Sequence, residues 1–313
     1  MKAAVVTSFD QPPHYGDFPD PVPERPDEML VDVLAAGLHH LTRSRAAGLH
    51  YSSIEGLPLV PGVDGVGRGT DGKLRYFSQA PRRIGTMADK TVIELDHSIE
   101  LPSGSNPITV AAAMNPGMAS WLALRCRVPF QPGQSVLILG ATGSSGSMAV
   151  QIARHLGASQ IIAVGRDALK LAKLPALGAT DIVPLEDARL GVLARQVDVV
   201  LDFIWGGPAV RVMEDLLKQR ADRSQPLIWI HLGSMAGNSA AIPGAFLRSA
   251  NFRIVGSGHG AVSKDEILSA LPALAKEIAH GTFHMDAKAV SLRNVELAWS
   301  APNDGGERTV FIP

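Results

Sequence analysis

Three evenly spaced glycines mark the part of this chain best suited to chemistry. In Val136-Leu137-Ile138-Leu139-Gly140-Ala141-Thr142-Gly143-Ser144-Ser145-Gly146 an apolar, strand-like run passes straight into a glycine-rich turn, and residues 147–153 continue as a helix. Glycines at such a turn let a ligand approach the backbone, where unpaired amide N–H groups and the positive end of the helix favour a pyrophosphate. The spacing is Gly-x-x-Gly-x-x-Gly. Ala141 follows the first glycine, Thr142, Ser144 and Ser145 fill the turn, and Gly143 and Gly146 supply the closest approach and the helix packing. Folds selective for NAD place an acidic residue roughly 20 positions beyond the last glycine, where it binds the ribose 2′-hydroxyl. Here Gly165 is followed by Arg166, a guanidinium suited to a 2′-phosphate, with Lys170 and Lys173 beyond it, so NADPH is the expected cofactor. Asp167 keeps NADH open, because a one-residue shift of the turn would bring its carboxylate to the ribose. Asp202, behind the apolar run 197–201, reads as a structural hydrogen-bond partner.

These residues need a rigid scaffold. From about residue 134 apolar strands alternate with amphipathic helices, the pattern of βαβ units and a parallel sheet. Strands are expected at 135–140, 160–165, 181–184, 197–204, 227–233 and 252–256, with helices at 145–156, 168–177, 208–218 and 245–249. Six strands make a complete dinucleotide fold. The first hundred residues are instead rich in proline, glycine and short β-type runs such as 30–34 and 90–95, which predicts a mostly β domain. A helix at 264–280 and runs at 287–290 and 308–312 are expected to rejoin that first domain.

The chain has 313 residues, enough for two cores of ordinary size. Its formal net charge of -1 offers no field for nucleic acid or an anionic membrane, which leaves a small molecule as the expected partner. The apolar run at Met1-Lys2-Ala3-Ala4-Val5-Val6 is too short for a signal segment, and no stretch reaches about 18 apolar residues, so a cytoplasmic protein is expected. Cys126 is the single cysteine, which excludes an internal disulfide and any zinc site built from several thiolates of one chain.

Further landmarks stand in a particular order. They are Ala36-Gly37-Leu38-His39, Pro61-Gly62-Val63-Asp64-Gly65-Val66-Gly67, Asn115-Pro116-Gly117-Met118-Ala119-Ser120-Trp121, the glycine turn, and Leu232-Gly233-Ser234 at the fifth strand's end. With them the chain resembles the medium-chain dehydrogenase/reductase superfamily along its whole length, most closely the quinone oxidoreductase and enoyl reductase branch. The resemblance implies an α/β fold in which a Rossmann doubly wound parallel sheet is inserted in a GroES-like, mostly β catalytic domain, with boundaries expected at 1–110, 111–257 and 258–313. It also implies NADPH without metal, and a homodimer joined through Rossmann edge strands such as Phe252-Arg253-Ile254-Val255.

Zinc alcohol dehydrogenases of the same superfamily hold their metal with residues that correspond here to His39, Val63 and Asn115, and only His39 is a good ligand. His39, His40 and His50 lack the spacing of a separate metal site. Without a Lewis acid the expected reaction is delivery of a nicotinamide hydride to a quinone or an enone, carbons already activated by conjugation. The oxyanion that develops needs a donor, and the resemblance offers His39, Asn115, His50 and Tyr51 as catalytic candidates. Quinone oxidoreductases usually carry Asn in place of His39 and Thr-Ala in place of Ala119-Ser120. On the cofactor side the candidates are Ser120 and Gly143 to Gly146 for the phosphates, Arg166 for the 2′-phosphate, and Leu232-Gly233-Ser234 with Gly256-Ser257 for the nicotinamide edge. Two other readings remain open: a non-catalytic NADPH-binding redox sensor, and a zinc alcohol dehydrogenase with an irregular site.

Overall fold

Alternation of buried Val31, Val33 and Ala35 with exposed Asp32 makes residues 28–37 the central strand of a mostly antiparallel sheet. The computed structural model describes residues 1–50, 52–78, 82–258, 260–301 and 307–313. Two compact units emerge from its contacts, one formed by Met1–Asn115 with Leu271–Pro313 and the other by Pro116–Ala270.

The first unit begins with the antiparallel pair β1 (Lys2–Val5) and β2 (His14–Asp17). It continues through β3 (Glu28–Gly37), helix α1 (His40–Ala46), β4 (Asp64–Gly69), β5 (Leu74–Ser78), β6 (Lys90–Glu94) and β7 (Ser98–Glu100). Strand β3 pairs with both β4 and β6, and β4 continues through β5 to β7. Gly62 turns the chain into β4 with φ +122°, and a Cβ there would meet the backbone of Thr86 and Met87, so the position requires glycine. Helix α2 (Pro107–Leu122) carries Pro116 inside it and is followed by a wider π-type turn at Ala123–Arg127.

The second unit holds six strands: β8 (Ser135–Leu139), β9 (Gln160–Gly165), β10 (Asp181–Pro184), β11 (Val199–Asp202), β12 (Leu227–His231) and β13 (Phe252–Gly256). All pairings are parallel and the order is β10-β9-β8-β11-β12-β13, the doubly wound arrangement of a dinucleotide fold. Between them run α3 (Ser144–His155), α4 (Ala168–Leu171), α5 (Leu174–Leu177), α6 (Leu190–Leu193), α7 (Gly206–Gln219) and α8 (Gly244–Ser249). The single helix expected at 168–177 is two short ones, because Pro175 opens α5 and Gly178, at φ +119°, ends it. The expected strand at 197–204 is shorter, because Asp202 accepts from the backbone N–H groups of Ile204 and Trp205 and turns the chain. Buried side chains of the strands, among them Leu137, Leu139, Ile162, Val200 and Trp229, pack against Val212, Met213 and Leu216 of α7. Arg220 at the end of α7 donates to the carbonyls of Arg195, Val197, Gln225 and Pro226, satisfying buried backbone that no strand pairs.

After α9 (Lys264–Ala279) the chain adds β14 (Ala287–Ser291) and β15 (Arg308–Ile312) to the first sheet, β15 pairing antiparallel with β3. Phe311 there packs with Val33, Ala36, Leu38 and Met87. Among the described residues no helix is long and apolar enough to cross a membrane.

Candidate functional site

Strand β8 ends at Leu139, and Gly140, at φ +85°, turns the chain away from the sheet. The N–H groups of Gly140 and Ala141 both donate to the Val164 carbonyl, at 3.0 and 2.9 Å, which pins the turn to β9. Gly143 then starts α3 without any side-chain cap, so the first N–H groups of that helix, from Ser144 to Gly146, have no protein acceptor from a capping residue. A Cβ on Gly146 would lie 2.6 Å from Ala141 Cα and closer still to the Gly140 carbonyl oxygen, whereas one on Gly143 would meet only that oxygen, at 3.6 Å. One glycine is thus demanded by helix packing, and the other leaves an open face over uncapped amides. Such a cradle fits a pyrophosphate.

Arg166 leaves the end of β9 exposed to solvent, next to Gly165, where an added Cβ would lie 2.6 Å from Thr142 Cγ2 of the turn. Asp167 is the N-cap of α4: its Oδ1 accepts from the N–H groups of Leu169 and Lys170, at 3.0 and 3.1 Å. Those amides, the Lys170 one foremost, and the Lys170 ammonium hold the Asp167 carboxyl below its ordinary range. The carboxylate that could have faced a ribose is engaged by the helix, and Lys170 stands 3.6 Å from it.

At the far half of the sheet Leu232 and Gly233 donate to the Asp202 carbonyl, and Ser257 N–H donates to the His231 carbonyl at 3.0 Å. The Gly256 carbonyl accepts from Arg127 Nε at 2.9 Å, and Ser234 Oγ lies 3.2 Å from His231 Nε2. Asp202 is fully buried and accepts from Ile204 N, Trp205 N and Trp229 Nε1 at 2.8 to 2.9 Å. Burial pushes its carboxyl up, and these donors oppose the shift. Trp205 has φ +52° and ψ −166°, a conformation that costs a non-glycine residue on the order of 1–3 kcal/mol. Its ring lies 4.5 Å from that of His231. Ser120 is fully buried, and its hydroxyl donates to the Gly117 carbonyl at 3.4 Å.

The first unit contains a buried polar cluster. His39, at the N-terminus of α1, and Asp64, at the head of β4, are bonded through His39 Nε2. Asp64 also accepts from the Tyr76 hydroxyl at 2.9 Å. His39 Nδ1 lies 2.5 Å from Arg308 Nη2 and 2.8 Å from the Asn115 amide. A guanidinium only donates, so Nδ1 accepts from Arg308 and Nε2–H donates to Asp64, with Asn115 Oδ1 standing beside the same Nδ1. Burial lowers the affinity of Arg308 for its proton, and Asp64 and then Tyr76 offset this. Burial first, then the charge of Asp64, lifts the Tyr76 phenol well above its ordinary value. Both ring nitrogens of His39 are therefore engaged inside the unit.

Sequence reasoning missed Arg308 and Tyr76. Each is a lone polar residue on a β strand with no motif around it, and Arg308 is 269 positions from His39. His40 is exposed, and His50 Nδ1 accepts from Ser52 N–H at 3.2 Å and meets Ser52 Oγ at 2.7 Å. Tyr51 lies outside the described residues. Where zinc alcohol dehydrogenases would present donors, Val63 has none, His39 Nδ1 faces a guanidinium and Asn115 Oδ1 faces His39. Among the described residues the one group of three potential metal ligands is Glu94, Asp96 and His97, which is not buried.

No protein-family model matches the chain. It is 28% identical, over an alignment of 359 positions covering all of both chains, to the "Probable NADPH-dependent quinone reductase tdiC" of Emericella nidulans. It is 27% identical to the 2-methylene-furan-3-one reductase of Solanum lycopersicum over 60% of this chain and 53% of that protein. The quinone oxidoreductase of Thermus thermophilus, a structure also solved as its complex with NADPH, superposes over the whole of both chains with a TM-score of 0.82 at 24% identity. The chain is thus similar over its full length to a protein named as a probable NADPH-dependent quinone reductase, and it shares the fold of a quinone oxidoreductase.

Proposed function

We propose that the protein is an NADPH-dependent reductase of quinones or conjugated enones that works by hydride transfer without a metal ion. The observation that carries this reading is the uncapped glycine turn beside an exposed Arg166, with Asp167 engaged as a helix cap. Full-length likeness to a protein named as an NADPH-dependent quinone reductase supports it. When bound, NADPH supplies a hydride from the nicotinamide C4 to a carbon that conjugation has made electrophilic.

The chain's own residues bind and orient. Amides from Ser144 to Gly146 hold the pyrophosphate, and Arg166 with Lys170 pairs with the 2′-phosphate, a contact the 2′-hydroxyl of NADH cannot reproduce. Leu232-Gly233-Ser234 and Gly256-Ser257 border the nicotinamide, and Ser120 joins the phosphate contacts once its hydroxyl leaves Gly117. The developing oxyanion draws on the His39, Asn115 and Arg308 cluster, whose buried guanidinium supplies the positive charge a metal would otherwise bring, with His50 and Tyr51 as further donors. We place the enzyme in the cytoplasm as a homodimer through the edge of β13, which among the described residues pairs with β12 alone. The engagement of both nitrogens of His39 favours one rival, a sensor that binds NADPH without turning it over.

The test is nicotinamide oxidation against a panel of quinones, enones and simple aldehydes, with NADPH and NADH in parallel and a chelator present. Turnover of quinones or enones with NADPH preferred is expected. Arg166→Ala is expected to raise KM for NADPH by about 10–100-fold, the worth of one lost charge-assisted contact, and to leave KM for NADH within about threefold. Binding without turnover would establish the sensor, and loss of activity on chelation would restore the zinc mechanism.

A further inference from the structure

We propose that the indole of Trp205 is a positioning surface for the nicotinamide half of the dinucleotide; this rests on the cofactor reading above. A residue in an unfavourable backbone region persists only where its surroundings fix it, and such residues gather at binding sites. The segment 203–206 is fixed from several sides. Asp202 Oδ1 accepts from the N–H groups of Ile204 and Trp205, Ala236 N–H donates to the Ile204 carbonyl at 2.7 Å, and Met235 N–H donates to the Phe203 carbonyl at 3.4 Å. Gly206 continues the turn at φ +71°, with the Ala236 carbonyl oxygen 2.9 Å from where a Cβ would stand. Backbone of this shape suits glycine at position 205, yet the chain places its largest side chain there.

The location says what that side chain meets. Strand β11 adjoins β8 on the side away from β9 and Arg166, so Trp205 stands at the carboxyl end of the half-sheet opposite the 2′-phosphate. Ile204, its neighbour, has Cγ2 3.1 Å from the Cβ position of Gly140, which sets this turn directly against the glycine turn. The indole is half-buried and tilted 53° to the His231 ring, and His231 in turn meets Ser234. A dinucleotide crossing the switch point with its pyrophosphate on α3 carries its nicotinamide half toward this ledge. The indole also packs against the buried core of the sheet, so packing alone is the rival explanation.

Binding of NADPH and of 2′-phospho-ADP-ribose, which lacks the nicotinamide, separates the two. Trp205→Gly is expected to weaken NADPH about tenfold and the fragment by less than about twofold, without lowering the thermal midpoint, because relief of the backbone offsets the lost packing. In Trp205→Phe, energy transfer from tryptophan to bound NADPH is expected to fall although affinity holds, and this reading decides the matter if the glycine variant does not fold. Equal weakening of both ligands with a lower midpoint, wild-type NADPH affinity in Trp205→Gly, or unchanged energy transfer in Trp205→Phe would overturn the proposal and leave the cofactor reading standing. Failure of the wild-type chain to bind NADPH at all would overturn both.

Discussion

Gly146→Ala should bind NADPH at least about 100-fold more weakly than the wild-type chain, as judged by calorimetric titration. The added methyl would stand 2.6 Å from Ala141 Cα and nearer to the Gly140 carbonyl oxygen, and Cβ atoms essentially never approach other atoms below 3.0 Å. Both neighbours are backbone, so neither can swing aside and α3 must move off the turn. The amides of Ser144 to Gly146 then no longer converge on one point. Charge-assisted hydrogen bonds are worth about 1.5–3 kcal/mol each, so losing two removes at least about a hundredfold in affinity. Overpacking at the same place costs about 1–3 kcal/mol of stability, readable as a lower urea midpoint. Gly143→Ala is the control for folding: its methyl meets only one oxygen, at 3.6 Å, and the wild-type urea midpoint is expected. Wild-type affinity in Gly146→Ala would mean that the turn does not hold the pyrophosphate.

Asp64→Asn should lower the stability of the chain by about 3–5 kcal/mol, the usual cost of removing one partner from a buried charged group. The substitution keeps the size of the side chain and an acceptor for Tyr76, so the loss isolates the charge. Asp64 is the principal opposing charge for the enclosed Arg308 guanidinium, and its carboxylate takes the N–H of His39. Without it a buried cation remains whose Nε already lacks a partner. Arg308→Met in the same chain should restore part of the loss, since replacing a buried ionic group wholesale is often near neutral. Urea unfolding of the two single variants and the double variant measures this directly. Equal midpoints for Asp64→Asn and the wild-type chain would show that the cluster is not a coupled ionic unit.

What the sequence disclosed depended on how local the signal was. The inner strands β8, β9, β11 and β12 are largely apolar runs because inner parallel strands are buried on both faces, and the glycine turn is spelled out within eleven residues, so the doubly wound sheet and its glycine turn were legible. The choice between Arg166 and Asp167 turned on a single residue of register, and the fold engages Asp167 as a helix cap. An aspartate immediately before Ala168-Leu169-Lys170 is itself an N-cap signal and could have been read as one. Pro175 and Gly178 likewise announced the break between α4 and α5.

The rest was closed for a physical reason. Nothing near Arg308 or Tyr76 in sequence says that β15 and β5 bring them to His39 and Asp64, because sheet pairing between distant segments sets those contacts. The backbone of Trp205 is equally opaque from sequence, since hydrogen bonds from Asp202 and from residues 235–236 impose it. Family resemblance singled out His39 as a donor, but its tautomer depends on partners that only the fold supplies.

The central claim is that hydride passes from NADPH to a conjugated acceptor, and isotope transfer tests it most directly. Single turnover of an enone with NADPH deuterated at the transferred position of C4, in the presence of chelator, should give a reduced ketone carrying one deuterium on the carbon β to the carbonyl. Reduced product without that deuterium, or bound NADPH that no enone or quinone consumes, would contradict the account.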